Sequence, residues 1–441
     1  MSVGPENPDE VIASCKQSLE KNPRNIAARN KLGLAYMHKG MIDEAIAQFT
    51  EVLNLDPKHV DANYALGIAY ADKHMLDEAL DQWKRVVRLN KNHAMARYFM
   101  GQVYLLKGMI DAALMEYKRA VEIQPYNPRI HVGLGNAFIG KGMRDQALAA
   151  WQKAVSLNPN DIEARHAIAA TLLSLGRFDE CVEECQKALA LSKDMLIRNT
   201  LGLAYLTKGD YDNAELVYAS LAEDFPNNPD FKVVLGEVYS VKGDQKAAKE
   251  QWLKAIELQP KHTSAIYDLG LGLAQEGKID EAIGKWKSVL EIDPNHINSR
   301  RNLAATSLMR GDVDAAIEQW KTIVSIDEQN PEWRSSLAEA YLRGGKVKEA
   351  LWSAKQALDM APEFTRARFI HGVAMLKDNR PQDAVGEWGK GMEQDPNFAL
   401  STIGLLREMV SQEEADLLYE VADKSGNENA KRAITGLKSL L

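Results

Sequence analysis

The feature that most constrains this chain is a recurrence. Gly-Leu-Ala-Tyr at 33–36 returns as Gly-Ile-Ala-Tyr at 67–70, thirty-four residues later. Gly-Gln-Val-Tyr at 101–104 continues the series, and Gly-Leu-Ala-Tyr at 202–205 and Gly-Glu-Val-Tyr at 236–239 resume it. A fixed period of this length marks stacked supersecondary units rather than one closed core. With residue 26 as position 1, eleven units begin at 26, 60, 94, 128, 162, 195, 229, 263, 297, 331 and 365, the fifth being one residue short. Position 7 is apolar in ten of them, position 15 glycine in nine and position 20 alanine in ten. Position 8 is glycine in eight and alanine in three, and position 32 is proline in eight.

Each of these positions has a physical reason. Between the glycine of position 15 and the proline of position 32, apolar residues recur at helical spacing, as in Asp43-Glu44-Ala45-Ile46-Ala47-Gln48-Phe49. Two helices per unit follow, with Gly40 closing the first of unit 1 in a left-handed conformation. Pro57 cannot continue the second helix and sets the bend into the next unit. Small residues at positions 8 and 20 let two backbones approach closely. A large ring at position 24 then fills the space between neighbouring pairs: Trp83, Trp151, Trp252, Trp286, Trp320 and Trp388 stand there.

Glycine at 8, alanine at 20, an aromatic at 24 and proline at 32 (Gly33, Ala45, Phe49 and Pro57 in unit 1) resemble the tetratricopeptide repeat family over residues 26–398. The resemblance implies an all-α chain: a right-handed superhelical α-solenoid of about eleven helix-turn-helix repeats with terminal caps. It also implies that first helices line a concave groove, while a shared fold by itself says little about function.

The ends divide the chain further. Residues 1–25 hold an N-terminal segment with half a repeat, in which Cys15 falls at position 24 and Pro23 at position 32. Units 1–5 span 26–194 and units 6–11 span 195–398. Residues 399–441 read as capping helices, because the last unit must meet water. Unit 5 departs most from the pattern, and the joint near Ser192–Met195 lacks both the proline and one residue. Local repacking or a change of curvature is expected there.

The sequence offers little chemistry. Gly135-Asn-Ala-Phe-Ile-Gly-Lys141 imitates a phosphate-binding loop, but Gly142 stands where a magnesium-ligating hydroxyl belongs and no strand precedes it. Cys181 and Cys185, one helical turn apart, are two ligands where structural zinc needs four, and they fall at core positions. His59, His93, His262 and His296 fall on successive inter-repeat turns rather than around one ion. No catalytic residue, cofactor or metal is expected, and the chain reads as a non-enzyme. The net charge of −8 disfavours nucleic acid, and no segment is apolar and long enough to insert in a membrane. Three cysteines make no disulfide framework and no secretory signal opens the chain, so a cytoplasmic home is expected.

In the implied groove, positions 2, 5, 9, 12 and 13 face a partner. The carboxylate clamp of the family's cochaperone branch is absent in every register, and so is the asparagine ladder of its glycosyltransferase-linked branch. An apolar stripe stands there instead: Leu34, Tyr64, Ile68, Tyr98, Leu105, Ile139, Leu203 and Leu206, with Leu106, Val132 and Leu173. Part of it is expected to pack on neighbouring repeats, and the remainder suits an amphipathic helix or extended peptide. Units 9–11 place Arg301, Arg343, Arg366 and Lys377 at groove positions, beside Arg300, Arg334 and Arg368 at position 4. These cations are either a solvated face or a grip for acidic segments. The expected function is a protein–protein interaction scaffold or adaptor. The alternatives are a self-assembling homo-oligomer, its N-terminal half-repeat docking in a neighbour's groove, and a regulatory subunit of an enzyme.

Overall fold

The computed structural model describes residues 7–441, and every regular element among them is a helix. The repeats are helix pairs: Ile26–His38 with Ile42–Leu55 in repeat 1, Pro128–Gly140 with Arg144–Leu157 in repeat 4, and Thr365–Lys377 with Pro381–Gln394 in repeat 11. Repeat 5 is the irregular one. Its second helix, Phe178–Leu189, is two residues shorter than the fourteen found in repeats 1 and 4. The helices cluster into two compact units, one ending at Val217 and the other running from Tyr218 to Leu441. Each is a stack of helix pairs, the architecture of an α-solenoid. Among the described residues no helix is long and apolar enough to cross a membrane.

The turn inside each repeat is fixed by backbone sterics. Position 15 takes a positive φ throughout, from Gly40 at 74° to Gly345 at 68°, and the two non-glycine residues there obey it too. His74 and Asn379 both sit at φ 59°. A side chain in that region costs roughly 1–2 kcal/mol, so the neighbouring packing enforces the turn even without glycine. The turn between repeats is fixed by capping. Nδ1 of His59, His93 and His262 accepts the backbone N–H of Ala62, Ala96 and Ala265 at 3.1–3.2 Å. The turn histidines are therefore helix N-caps, a role that requires the neutral ring.

Packing between the helices centres on position 24. The Tyr117 ring lies so close to Gly101 of its own repeat and Gly133 of the next that a Cβ on either would stand 2.8 or 2.4 Å from it. Trp252 is held in the same way between Gly236 and Gly272. One ring thus joins three helices: its own, its partner in the pair and the first helix of the following repeat. Where the ring is missing, as at Cys185 and Ala354, position 8 carries alanine (Ala169 and Ala338) and part of the volume is restored. Burying one indole stabilises by roughly 4–6 kcal/mol before entropy is subtracted.

A polar clip crosses the same joints. Arginine at position 4 reaches back to the carbonyl of the preceding turn: Arg29 to Pro23, Arg165 to Pro159 and Arg300 to Pro294, at 2.9–3.0 Å. The other end of the guanidinium meets the second helix of its own repeat, Arg97 with Glu116 at 2.7 Å and Arg368 with Glu387 at 2.8 Å. Arg300, Arg334 and Arg368, which the sequence offers as partner-facing cations, are engaged in these clips. Lysines near the ends of first helices also pair with the preceding repeat, Lys39 with Asp9, Lys73 with Asp43 and Lys141 with Asp111. Those aspartates are largely exposed, so each pair is worth less than about 1 kcal/mol.

Both ends are closed by non-repeat helices. Pro8–Lys21 packs on the first helix of repeat 1, where Cys15 joins Leu32, Phe49 and Val52 in one core. At the other end Pro396–Leu406, Gln412–Ser425 and Glu428–Lys438 share a core with repeat 11.

Ala147 is fully buried at the crossing of the helices of repeat 4. Ala147→Leu should overpack it and cost about 1–3 kcal/mol, read as an earlier urea transition with unchanged starting ellipticity. His74→Gly should act in the opposite direction, stabilising by up to about 1 kcal/mol through relief of the strained turn.

Candidate functional site

Positions 2, 5, 9, 12 and 13 of the first helices, those expected to face a partner, form the candidate wall. In the unit ending at Val217 this wall is apolar and partly consumed by its own packing. Leu34 and Ile139 remain exposed, at 42% and 38%, and Leu106 stands out at 74%. Tyr64 is half-buried against His93 and Phe99, with ring centroids 4.7 and 6.0 Å away. Tyr98 meets Phe99 and Tyr117 edge-on, and its hydroxyl accepts from Gln102 at 2.9 Å. Burial raises the pKa of both tyrosines above the usual phenol value. Ile68 and Leu105 pack half-buried on the cores of repeats 2 and 4, and Leu203 and Leu206 are half-buried as well. The stripe is therefore a row of open leucine and isoleucine side chains set among rings that brace successive repeats.

The second unit carries a different wall. Glu237, at position 9 of repeat 7, lies within hydrogen-bonding reach of Asp268, at position 6 of repeat 8. Two carboxyl groups can share such a bond only if one holds a proton. Burial, the Glu237 charge and that contact push Asp268 up to about 7, and burial raises Glu237 as well. The indole of Trp151 donates to Asn136, the position-9 side chain of its own repeat, at 3.1 Å. The equivalent Trp252 finds no acceptor, because Glu237 is turned to Asp268. One repeat further on, Leu271, Ala274, Gln275, Asn302 and Thr306 line a shallow depression of about 340 Å³ floored by Trp286. Asn302 there donates to the Tyr267 hydroxyl at 3.3 Å.

Three of the four cations that the sequence places on the wall are paired within the chain. Arg343 binds Glu339 at 3.2 Å and Glu408 at 2.7 Å, Arg366 binds Glu339 at 2.7 Å, and Lys377 binds Glu414 at 2.7 Å. Arg301 is exposed. Glu408 and Glu414 come from the C-terminal segment, far from any repeat position, so no periodic pattern announces them. Glu237 and Asp268 did leave a signal: two carboxylates at facing positions 9 and 6 of consecutive repeats.

Among the described residues no three histidine, cysteine or acidic groups converge on one point. Cys181 and Cys185 are fully buried free thiols, and the hydrogen bond between them, with burial, raises Cys185 well above the usual thiol range. Such thiols behave as small hydrophobes.

With this geometry in view, comparison with known proteins gives a consistent result. Models of the tetratricopeptide repeat match residues 14–47, 34–73, 101–142, 128–161, 150–183, 200–228, 215–362 and 335–397. No curated protein sequence matches the chain. Among solved structures, MamA is 28% identical over 37% of this chain and 95% of its own, with a TM-score of 0.35. Yeast Tom70 is 13% identical, covering 92% of this chain and 95% of its own, with a TM-score of 0.45. YrrB, described as a TPR protein with an unusual peptide-binding site, is 23% identical over 50% of this chain and 96% of its own, with a TM-score of 0.33.

The carboxyl pair makes a pH prediction. Asp268 is raised from 3.8 to about 7 on folding, so the folded chain holds a proton that the unfolded chain has released. The associated stability is complete below about pH 4 and is lost as pH rises to about 7. Asp268→Asn should flatten that slope and raise stability at pH 8 by on the order of 2 kcal/mol, measured as urea midpoints across the pH range.

Proposed function

The chain belongs to the tetratricopeptide repeat family, and from that premise we propose that it is a non-catalytic interaction scaffold that holds a segment of another protein along its first helices. The observation that carries this reading is the exposure of Leu34, Leu106 and Ile139 at wall positions. The braced tyrosines between them are rigid and half-open, the property that makes Tyr a frequent anchor in binding surfaces. An amphipathic helix with apolar residues at i, i+3, i+4 and i+7 presents a matching stripe. Repeats 1–6 supply the apolar wall, with Leu203 and Leu206 at its far end.

In the second unit the acidic pair Glu237–Asp268 and the depression floored by Trp286 give its first helices a polar character. A segment lying there would meet carboxyl and amide groups in place of leucine side chains. The cytoplasmic placement expected from the cysteine usage belongs to this proposal as well.

The self-assembly alternative is open to a direct check. Its docking element, the helix Pro8–Lys21, is seated on its own repeat 1 with Cys15 buried. Light scattering over a hundredfold concentration range should therefore give a single, constant mass.

Leu34→Glu, Leu106→Glu and Ile139→Glu place charges on exposed positions and should leave helix content and thermal stability within about 0.5 kcal/mol of the original. In a panel of amphipathic helical peptides measured by fluorescence anisotropy, the best binder should lose at least tenfold in affinity with each variant. Unchanged affinity in all three would sink the reading.

A further inference from the structure

The wall of repeats 10 and 11 is covered, and the cover is the chain itself. Val373 and Leu376, at positions 9 and 12 of repeat 11, are 0% and 5% exposed, where Leu34 and Ile139 at the same two positions of repeats 1 and 4 are open. Ile403 and Leu406 of the helix Pro396–Leu406, with Met409 and Val410 just beyond it, share one core with Phe369, Val373 and Leu376. This helix lies along the first helix of repeat 11. Beside the second helix of repeat 11, the place a twelfth repeat would take, Glu428–Lys438 packs instead. Charge completes the cover: Glu408 reaches Arg343 and Glu414 reaches Lys377, both at 2.7 Å.

We infer that the wall of repeats 10 and 11 is a docking site for a short amphipathic helix followed by acidic residues. Residues 396–406 are its resident occupant, and a partner's helix of the same chemistry displaces them. This rests on the groove reading above and names the ligand class at its C-terminal end. Ile403 and Leu406 stand at the i, i+3 spacing of a helix laid in a groove, and Met409 and Val410 carry the apolar run past its end.

The cationic cluster also has donors to spare. Nε of Arg343 and Nε of Arg366 are both buried without an acceptor. A guanidinium in a fixed fork is suited to two carboxylate oxygens, and the resident supplies Arg343 with one contact through Glu408. A better-placed acidic residue on a partner helix would use the rest.

The resident is built to leave. It is eleven residues long, below the length at which a helix is stable by itself, and it carries Gly404 with nothing near the missing Cβ. Leu418, Ala422, Ile434 and Leu437 of the two following helices contribute to the same core, so repeat 11 keeps a cover on its other side. A competitor tethered in this way lowers the apparent affinity of any partner by the fraction of time it is in place.

The test uses the full chain and a fluorescein-labelled peptide of residues 395–414. Ile403→Ala/Glu408→Lys weakens the resident, and that variant should bind the peptide at least tenfold more tightly than the unaltered chain. Adding Arg343→Glu should cancel the gain. Should the variant fold poorly, the unaltered chain decides the matter: excess peptide should speed amide hydrogen exchange across 396–406 several-fold. Equal affinity of variant and parent, or exchange indifferent to peptide, overturns the proposal. Chains that trade this helix and form dimers would also overturn it, by making a second copy the occupant. The labelled peptide reads repeats 10 and 11 and the helical-peptide panel reads repeats 1–6, so this proposal and the groove reading can fail separately.

Discussion

One contact sustains everything else in this chain: the ring of position 24 seated on the backbone of two first helices. Where a Cβ would stand 2.4 Å from the indole of Trp151 or the ring of Tyr117, only glycine allows the approach. The approach is what brings consecutive first helices within a unit close together. Burial of about one large ring per repeat supplies the free energy, and the alanines of position 20, fully buried from Ala45 to Ala384, keep the two helices of each pair in contact. Where the ring is lost, at Cys185 and Ala354, the glycine is lost too, while repeat 9 seats Trp320 on Ala304.

The polar groups refine what the rings establish. Position-4 arginines tie a turn carbonyl to the second helix, and histidine, asparagine and aspartate caps close the start of the first helices of repeats 1–10, Phe364 standing at that place in repeat 11. These contacts settle the angle between repeats more than they add to stability. A buried pair such as Arg97–Glu116 is costly to break, yet an apolar replacement of both partners could be as stable. Their value is geometric: they leave the first-helix wall free of the charges that hold the stack together. Arg300, Arg334 and Arg368 are turned to this structural use.

First-helix positions differ between the two units. In the first, Leu34, Leu106 and Ile139 are exposed; in the second, Glu237 and Asp268 lie together and Val373 and Leu376 are covered. Each condition follows from which side chains the position-24 contact leaves over. Leu34 and Ile139 point away from the packing. Glu237 and Asp268 face each other across two first helices; burial raises both carboxyls above the usual range, and the Glu237 charge raises Asp268 further. Val373 and Leu376 are as apolar as the open positions and find their partner in the chain's own C-terminal helix.

How far the sequence alone reached can be told from particular residues. The period, the helix pairs, the buried rings and the left-handed turn at position 15 were all legible, because each is a local requirement repeated eleven times. Repetition also gave the positions expected to face a partner, of which Leu34, Leu106 and Ile139 are exposed and Tyr64, Ile68, Leu203 and Leu206 half-buried. Three things needed the tertiary structure. The turn histidines are caps because their Nδ1 atoms meet a backbone N–H, a matter of ring orientation. The arginines of position 4 are clips because a carbonyl lies six residues back in space as well as in sequence. Arg343 and Lys377 are paired because helices outside the repeat, with no period to betray their register, bring Glu408 and Glu414 onto the wall. A repeated pattern specifies contacts between neighbours; contacts made once, across dozens of residues, are decided only when the chain has folded.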